Sequence, residues 1–358
     1  MKSKIKLIMI GVLLFSLFPV FGYSMKVTFF VGSSTLTRQG KTVKVKMGNN
    51  VSNGDVIRTS KNGIVDLSYD DGSKITITSN TVVQIGSKNI KDSGDVSVIS
   101  GKITGKFVKL KKGEHRLASP TTVCGVRGTE FAFAVSKGGA SKIELTEGRL
   151  DVRNSYGRVE LNEGYSVETD LAGEPESEEN ENKIQEWQNE QDESLADDLE
   201  EKADEYETHI NNFSEESEVR SQELVSLSES TKNAATKEDL AKSGEMIVNA
   251  ETKIEDSMLM NDASKNSIDD LIQDYSDKNE AIKEKFEEIA GKCNKVQEQQ
   301  LKNQKAIQDV KEEYKKAYDK IMKKFKDDKT KIFKNLNDFK KLNPVKKEEI
   351  GEKTEEEK

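Results

Sequence analysis

The chain has 358 residues, of which 34% are hydrophobic and 34% are charged, and its formal net charge is −9. This composition excludes one packed core that runs the whole length, because too few apolar side chains are available to fill it. We expect two or three regions of different character.

The first 24 residues are predicted to be a secretory signal peptide. Three lysines precede the apolar run "LIMIGVLLFSLFPVFG", and Gly22 or Ser24 offers a small residue for cleavage. An uncleaved anchor is the alternative, but the run of about 15 residues is shorter than the roughly 20 that a membrane span needs. No cysteine follows the run, so we expect no lipoprotein-type acylation. The chain is therefore predicted to be exported, to the periplasm or the cell surface.

Residues 25–174 have the pattern of an all-β domain. Nineteen of the 24 glycines lie between Gly32 and Gly173, and the region carries 22 Lys and Arg against 16 Asp and Glu, a net +6. Apolar residues alternate in "TVKVKM", "KITITS" and "EFAFAV", and turn sequences such as "YDDGSK" separate these runs. We predict a compact sandwich or roll of about ten to twelve short strands. An acidic linker, residues 175–183, follows it.

Residues 184–342 are predicted to be helical, with a coiled-coil-like seam. The part of the chain from residue 175 carries 31 basic against 49 acidic residues, a net −18, and its apolar residues recur at helical intervals. Breaks are expected at "SESTKNAATK" and "NDASKNS", and Ser267 with Asp270 is predicted to form a capping box. The charged segment 343–358 has too few apolar residues to pack and is predicted to be disordered.

A heptad pattern from Ile282 to Ile321 leaves two arrangements open. Its two core registers hold Phe286, Cys293, Ile307, Tyr314 and Ile321, and Ile282, Ile289, Val296, Val310 and Ala317. Gln300 and Asn303 interrupt the seam, which costs stability but restricts register. We expect self-association through residues 267–342, as a rod of roughly 110 Å if the helix is unbroken. The alternative is a hairpin or bundle within one chain.

The two cysteines and two histidines give no sign of a catalytic or metal centre. Cys124 and Cys293 are far apart and have no His or Cys partner at ligand spacing, so neither a disulfide scaffold nor a zinc site is expected. His115 and His209 lie in different regions, and there is no phosphate-binding loop that precedes a helix. We predict a non-enzymatic protein with no catalytic residues, no metal and no cofactor.

Five motifs in a fixed order carry a resemblance to a known family. They are "NGDVIRTSKNGIVDLSYDDGSKITI" (53–77), "SVISGKITGKF" (97–107), "LASPTTVCGVRGTEFAFAV" (117–135), "IELTEGRLDV" (143–152) and "VELNEGYSV" (159–167). Together they resemble the FecR domain, a periplasmic module named after the ferric-citrate regulator of bacterial envelopes, over residues 30–170. The residues that match its pattern are Gly54, Asp55, Thr59, Asp71, Gly72, Gly101, Pro120, Gly125, Arg127, Gly128, Thr129, Gly148 and Gly164.

The physical chemistry of these residues points mainly to architecture. The glycines at 54, 72, 101, 148 and 164 are predicted to form sharp turns, and Asp55 and Asp71 to accept bonds from nearby backbone N–H groups. Gly125 and Gly128 are predicted to let the chain pass close to another strand. Arg127 is expected to pair with Glu130 or Glu147, or to contact a ligand.

A basic stretch, "KLKKGEHR" (109–116), is a second candidate for ligand contact. Lys109, Lys111 and Lys112, together with Arg127, suit an anionic glycan, a lipid head group or the chain's own acidic tail. A solvated strand and turn is the alternative interpretation. Nucleic acid is not expected as a partner of an exported protein.

The sequence predicts a non-enzymatic envelope protein whose FecR-like domain binds a protein or an anionic ligand. Its helical tail would oligomerise or space that domain. The resemblance implies relays in which a cytoplasmic sigma-factor-binding segment and a membrane span precede the domain, but here only three lysines precede the apolar run. Direct control of transcription is therefore not expected. The alternatives are a sensory input that acts through a separate membrane partner, and a surface adhesin or stalk.

Overall fold

The computed structural model describes residues 25–90, 95–110, 114–195, 197–275 and 279–342. The predicted signal peptide and the charged segment 343–358 lie outside these residues. Strands occupy the first part of the chain: β1 Met25–Val31, β2 Ser34–Arg38, β3 Lys41–Lys44, β4 Asn50–Val51, β5 Val56–Thr59, β6 Ile64–Tyr69, β7 Lys74–Ile77, β8 Val82–Ile85, β9 Val96–Lys106, β10 His115–Ala118, β11 Val123–Val126, β12 Glu130–Val135, β13 Ser141–Glu147, β14 Arg149–Arg153, β15 Arg158–Asn162, β16 Tyr165–Thr169 and β17 Glu176–Glu179. Helices follow: α1 Ile184–Ser194, α2 Leu199–Lys232, α3 Lys237–Tyr275 and α4 Glu280–Leu342.

The strands form a two-sheet sandwich, so the predicted all-β region is confirmed. Sheet A has the order β4-β1-β6-β7-β9-β12-β13-β16-β17, and sheet B has the order β3-β2-β5-β8-β9-β10-β11-β14-β15. The alternating apolar residues point between the sheets and form one core. The strands outnumber the predicted ten to twelve because many of them have only two to four residues. β17 lies within the segment predicted as an acidic linker.

The longest strand, β9, belongs to both sheets. Its first half pairs with β8 and β10 in sheet B, and its second half pairs with β7 and β12 in sheet A. Gly101 lies where the strand passes from one sheet to the other, with φ of +95°. A Cβ at this position would lie 2.5 Å from Cα of Thr81. Only glycine fits such a crossing, because it tolerates positive φ and has no side chain to clash.

The helical region is confirmed, but its internal breaks differ in part from the prediction. The break at "SESTKNAATK" is present, since α2 ends at Lys232 and α3 begins at Lys237. The break at "NDASKNS" and the capping box at Ser267 are wrong, because both lie inside α3. Ser267 is buried there and its hydroxyl lies 2.8 Å from the hydroxyl of Tyr206 on α2. A serine whose position suggests a helix N-cap can instead lie inside a helix and form a hydrogen bond with a buried polar group on a neighbouring helix.

The chain divides into two compact units. The first contains the sandwich, the helical residues up to Ser221 and Glu251–Lys305, and the second contains Gln222–Ala250 and the chain from Ala306. The second unit has a small apolar core in which Leu240 on α3 packs with Ala317 and Ile321 on α4.

The apolar seam of α4 is buried within this one chain. Phe286, Ile289, Cys293 and Val296 are at most 3% exposed in the first unit. The predicted rod over residues 267–342 is divided, since residues 267–275 belong to α3. Self-association through residues 267–342 stays a prediction.

The polar residues of the seam have partners inside the first unit. Gln300 donates to Oγ of Ser257 on α3 at 2.8 Å, and Asn303 donates to the carbonyl of Ser217 on α2 at 2.7 Å. These bonds hold α4 in one register against α2 and α3, because a shift would leave buried amides without partners.

Candidate functional site

Asp55 closes a turn in the way the sequence predicts. Its carboxylate is buried and accepts a hydrogen bond from the backbone N–H of Ser52 at 2.8 Å. It also accepts two hydrogen bonds from Arg38, at 2.8 Å and 2.5 Å. Gly54 has φ of +82° beside it. This part of the motif therefore stabilises the turn into β5.

Asp71 occupies a second turn and also contacts a buried histidine. It accepts from the backbone N–H of Ser73 at 2.8 Å, and Nε2 of His115 lies 2.7 Å from its other oxygen. Burial alone would raise the pKa of Asp71, but the bonds from His115 and Ser73 outweigh it and hold that pKa below its usual value. The ring of His115 packs against those of Tyr69 and Phe107. His115 is therefore part of the sandwich core.

Thr59 and Pro120 are also structural positions. The hydroxyl of Thr59 accepts from the backbone N–H of Thr81 at 2.9 Å and donates to the carbonyl of Thr78. The carbonyl of Pro120 accepts from Nε2 of His209 on α2 at 2.9 Å. The prolyl turn of the motif is therefore a docking point for the helices.

The Gly-Val-Arg-Gly-Thr segment begins in β11, and its last three residues, 127–129, connect β11 to β12 with Arg127 exposed. Gly128 has φ of +71°, and a Cβ there would lie 3.1 Å from Cβ of Lys109. Gly148 passes against the carbonyl of Gly128, and Thr129 is buried. Gly128 therefore lies close to Lys109 and to Gly148, neither of which is in a strand.

Gly125 and Gly164 complete the matched positions. Gly125 lies in β11 beside the side chain of Glu114, where a Cβ would clash with the carboxylate. Gly164 has φ of +82° in the turn between β15 and β16.

Arg127 is exposed in this loop and does not pair as predicted. Its Nε donates to the carbonyl of Leu110 at 3.0 Å, while Glu130 binds Lys106 at 2.6 Å. The predicted pairing failed because Glu130 starts β12, where its cross-strand neighbour on β9 is Lys106. Lys109 is also exposed and lies next to the loop. Lys111 and Lys112 lie outside the described residues.

Arginines on the outer face of sheet B hold the acidic face of α3. Nη1 of Arg116 donates to Glu255 at 2.8 Å, and its other nitrogens bind Asp95. Arg153 binds Asp256 at 2.6 Å. Burial would lower the pKa of both guanidinium groups, but the surrounding carboxylates raise it overall, so both stay charged.

Sheet B and the turn after β8 also contact α3 further along the helix. Arg58 on β5 makes two bonds to Asp270, at 2.9 Å and 2.6 Å, and Ser87 donates to Asp262 at 2.6 Å. We did not predict these contacts. The signal that could have revealed them is the repetition of Asp and Glu along residues 251–274 together with arginines at the outward positions of strands.

The outer face of sheet A is covered in part by α1. Ile184 and Trp187 pack against Ala134 and Ala140. The indole N–H of Trp187 donates to Glu168 at 3.1 Å.

No group of three or more His, Cys, Asp or Glu side chains in the described ranges could hold a metal ion. Both cysteines are buried as free thiols. Among the helices that the structure describes, none is long and apolar enough to cross a membrane.

Comparison with known proteins identifies the β region. Residues 55–151 match the family model described as FecR protein. No curated protein matches the chain.

Two crystal structures of a candidate anti-sigma factor from Parabacteroides distasonis ATCC 8503 are similar to part of the chain. The one at 2.50 Å resolution is 12% identical over 36% of this chain and 61% of its own length, with a TM-score of 0.32. The one at 1.65 Å is 14% identical over 37% of this chain and 63% of its own, with the same TM-score. The match spans about three fifths of those proteins. The resemblance seen in the ordered motifs is thus confirmed by the family model, and residues 55–151 of this chain form a FecR domain.

Proposed function

We propose that this chain is a non-enzymatic envelope protein, exported to the periplasm or the cell surface, whose FecR domain binds a protein or an anionic ligand. The binding surface is the basic loop, which we define as Lys109 and Arg127. The predicted signal peptide supports export, and the FecR match supports a role in envelope signalling. The helical region spaces the domain or lets the chain associate with itself.

The observation that carries this proposal is that the guanidinium of Arg127 is not paired with a carboxylate among the described residues. Within residues 55–151, Arg58, Arg116 and Arg149 each bind a carboxylate. Arg127 instead donates from Nε to a carbonyl, and its two Nη atoms have no partner among the described residues. The bond to Leu110 fixes the side chain while leaving the part of the guanidinium that recognises carboxylates and phosphates.

The way in which helices α1 and α3 cover parts of the sandwich also supports the basic loop as the binding surface. On sheet B the arginines are occupied by α3, and on sheet A the alanines of β12 and its turn are covered by α1. A partner of the FecR domain would therefore approach at a surface that α1 and α3 leave open, such as a loop or an edge. The basic loop is exposed and has the charge to attract an anionic group.

The test is affinity capture with the exported protein. The immobilised protein is exposed to solubilised envelope extract, and the bound species are identified by mass spectrometry. Replacing Arg127 and Lys109 with alanine should remove a species that the unaltered protein retains. Arg149→Ala is the matched control, because Arg149 is exposed and its carboxylate partner is Glu160. Equal capture by both variants would show that the loop is not the binding surface.

A second candidate, sensory input through a separate membrane partner, is favoured by the position of β11. This strand leads directly into the loop, and its neighbours β10 and β14 carry Arg116 and Arg153, which hold α3. A ligand on the loop would act on strands that contact the helix. Hydrogen exchange in α3 should then slow or speed when the captured species binds, and unchanged exchange would argue against this role.

A further inference from the structure

The last part of α4 differs in charge from the rest of the helical region. Residues 320–342 contain nine lysines and three aspartates, a net charge of +6. The whole chain has a net charge of −9. A short segment of strongly opposite sign in an acidic protein indicates an interaction surface for anions.

The same segment has a continuous apolar stripe. On an α-helix with 3.6 residues per turn, positions 325, 332, 336 and 339 fall within a sector of about 60°. They are occupied by Phe325, Ile332, Leu336 and Phe339, and the backbone is helical throughout. Lysines occupy much of the remaining surface. This combination is typical of helices that lie in a membrane interface.

Within the second unit, α4 packs against α3 near the start of this segment. Leu240 packs on Ala317 and Ile321, and the ammonium of Lys237 lies 3.6 Å from the ring centroid of Phe325. α4 then continues from 326 to 342, a length of about 25 Å. Phe325 is 50% exposed, and the side chains from 326 to 331 are exposed as well.

We propose that residues 320–342 bind the surface of an anionic lipid bilayer. The stripe would enter the boundary between head groups and acyl chains, while the lysines contact lipid phosphates. A second copy of this helix is disfavoured as the occupant, because two segments of +6 would repel each other. The proposal does not depend on the basic loop of the FecR domain.

The test is co-sedimentation of the exported protein with vesicles. One set contains phosphatidylcholine alone. The other contains phosphatidylcholine with about 40 mole per cent phosphatidylglycerol, which gives the vesicles a strong negative surface potential. We expect binding to the anionic vesicles to be at least tenfold tighter and to weaken as salt is raised. The double variant Lys331→Glu, Lys334→Glu should lose most of this binding, whereas Lys331→Arg, Lys334→Arg should keep it.

A second pair of variants tests the apolar stripe. Leu336→Ser with Phe339→Ser should weaken vesicle binding at least fivefold. Thr330→Ser with Asn337→Ser, on the opposite side of the helix, should leave it unchanged. Circular dichroism of each variant checks that the helix is retained.

Three results would overturn the proposal. The first is equal binding to neutral and anionic vesicles, and the second is equal vesicle binding by the glutamate and arginine variants. The third is the absence of vesicle binding together with a dimer in light scattering that Leu336→Ser with Phe339→Ser abolishes. The last result would assign the stripe to a second copy of the chain. The capture test at Arg127 is unaffected by any of them, so the two proposals fail separately.

Discussion

Arg153 on β14 donates a hydrogen bond from Nε to Oδ2 of Asp256 on α3 at 2.6 Å. The two side chains are only 15% and 9% exposed. This pair therefore joins the sandwich to its helical layer through buried charges. Removing one member of such a pair costs about 3 kcal/mol, because the other is left buried without its partner.

Arg153→Ala should accordingly lower the free energy of unfolding by about 3 kcal/mol. Arg149→Ala, which removes an exposed pair with Glu160, should cost less than about 1 kcal/mol. Urea denaturation of both variants measures the difference. Equal losses would mean that the contact between β14 and α3 contributes no more than a surface ion pair.

Gly101 and Gly72 provide a matched test of the crossing strand. Both have φ above +90°, so alanine is strained at either position. A Cβ at position 72 would meet nothing within 4 Å, whereas at position 101 it would meet Thr81. Gly72→Ala should cost about 1–2 kcal/mol from backbone strain, and Gly101→Ala roughly 1–3 kcal/mol more from the clash. Thermal melts that showed the same loss for both would indicate that β9 can shift freely at the corner.

His209 should make the protein sensitive to mild acid. Burial lowers its pKa, and its bond to the carbonyl of Pro120 opposes this effect only in part. In the unfolded chain the pKa of a histidine is about 6.5. As the pH falls below this value, the unfolded chain binds a proton at His209 while the folded chain does not. The free energy of unfolding therefore decreases until the pH reaches the folded-state pKa.

His209→Gln retains a donor for Pro120 but does not titrate. Its stability curve should therefore be flatter than that of the unaltered protein below about pH 6.5. Denaturation midpoints measured from pH 7.5 to pH 5 check this. Parallel curves would show that His209 is protonated equally in both states.

The thiols should be unreactive in the folded protein. Burial raises the pKa of Cys293 to about 12 and raises that of Cys124 as well, so little thiolate is present at neutral pH. A colorimetric disulfide reagent should titrate both thiols only after denaturant is added.

The same burial bears on self-association. Mild oxidation of the folded protein should leave it monomeric in non-reducing electrophoresis. A dimer band that Cys293→Ser abolishes would instead support the parallel pairing of α4 that the heptads allow.

The sequence was most informative where a local rule acts alone. Positive φ at Gly54 and Gly72 follows from turn chemistry, and the strand alternation follows from one buried face. The turn predicted at Gly101 is wrong, because this glycine lies inside β9 at the crossing between the two sheets. Arg127 was misassigned because its partner depends on strand register, which a single sequence does not reveal.

The helices were predicted less completely for a related reason. A helix that buries its stripe against a sheet and one that buries it against another copy have the same periodicity. Ser267, Gln300 and Asn303 resembled a cap and register breaks, but each has a polar partner on another helix. Such partners are distant in sequence, so spacing alone cannot identify them.

The shared strand β9 has a consequence for how the sandwich comes apart. Because it pairs with β8 and β10 at one end and with β7 and β12 at the other, neither sheet can lose it without breaking the other. The sandwich should therefore unfold cooperatively, with amides in both sheets exchanging at the same opening free energy. Although sheet A and sheet B are separate layers of the sandwich, we expect them to fold and unfold as one cooperative unit.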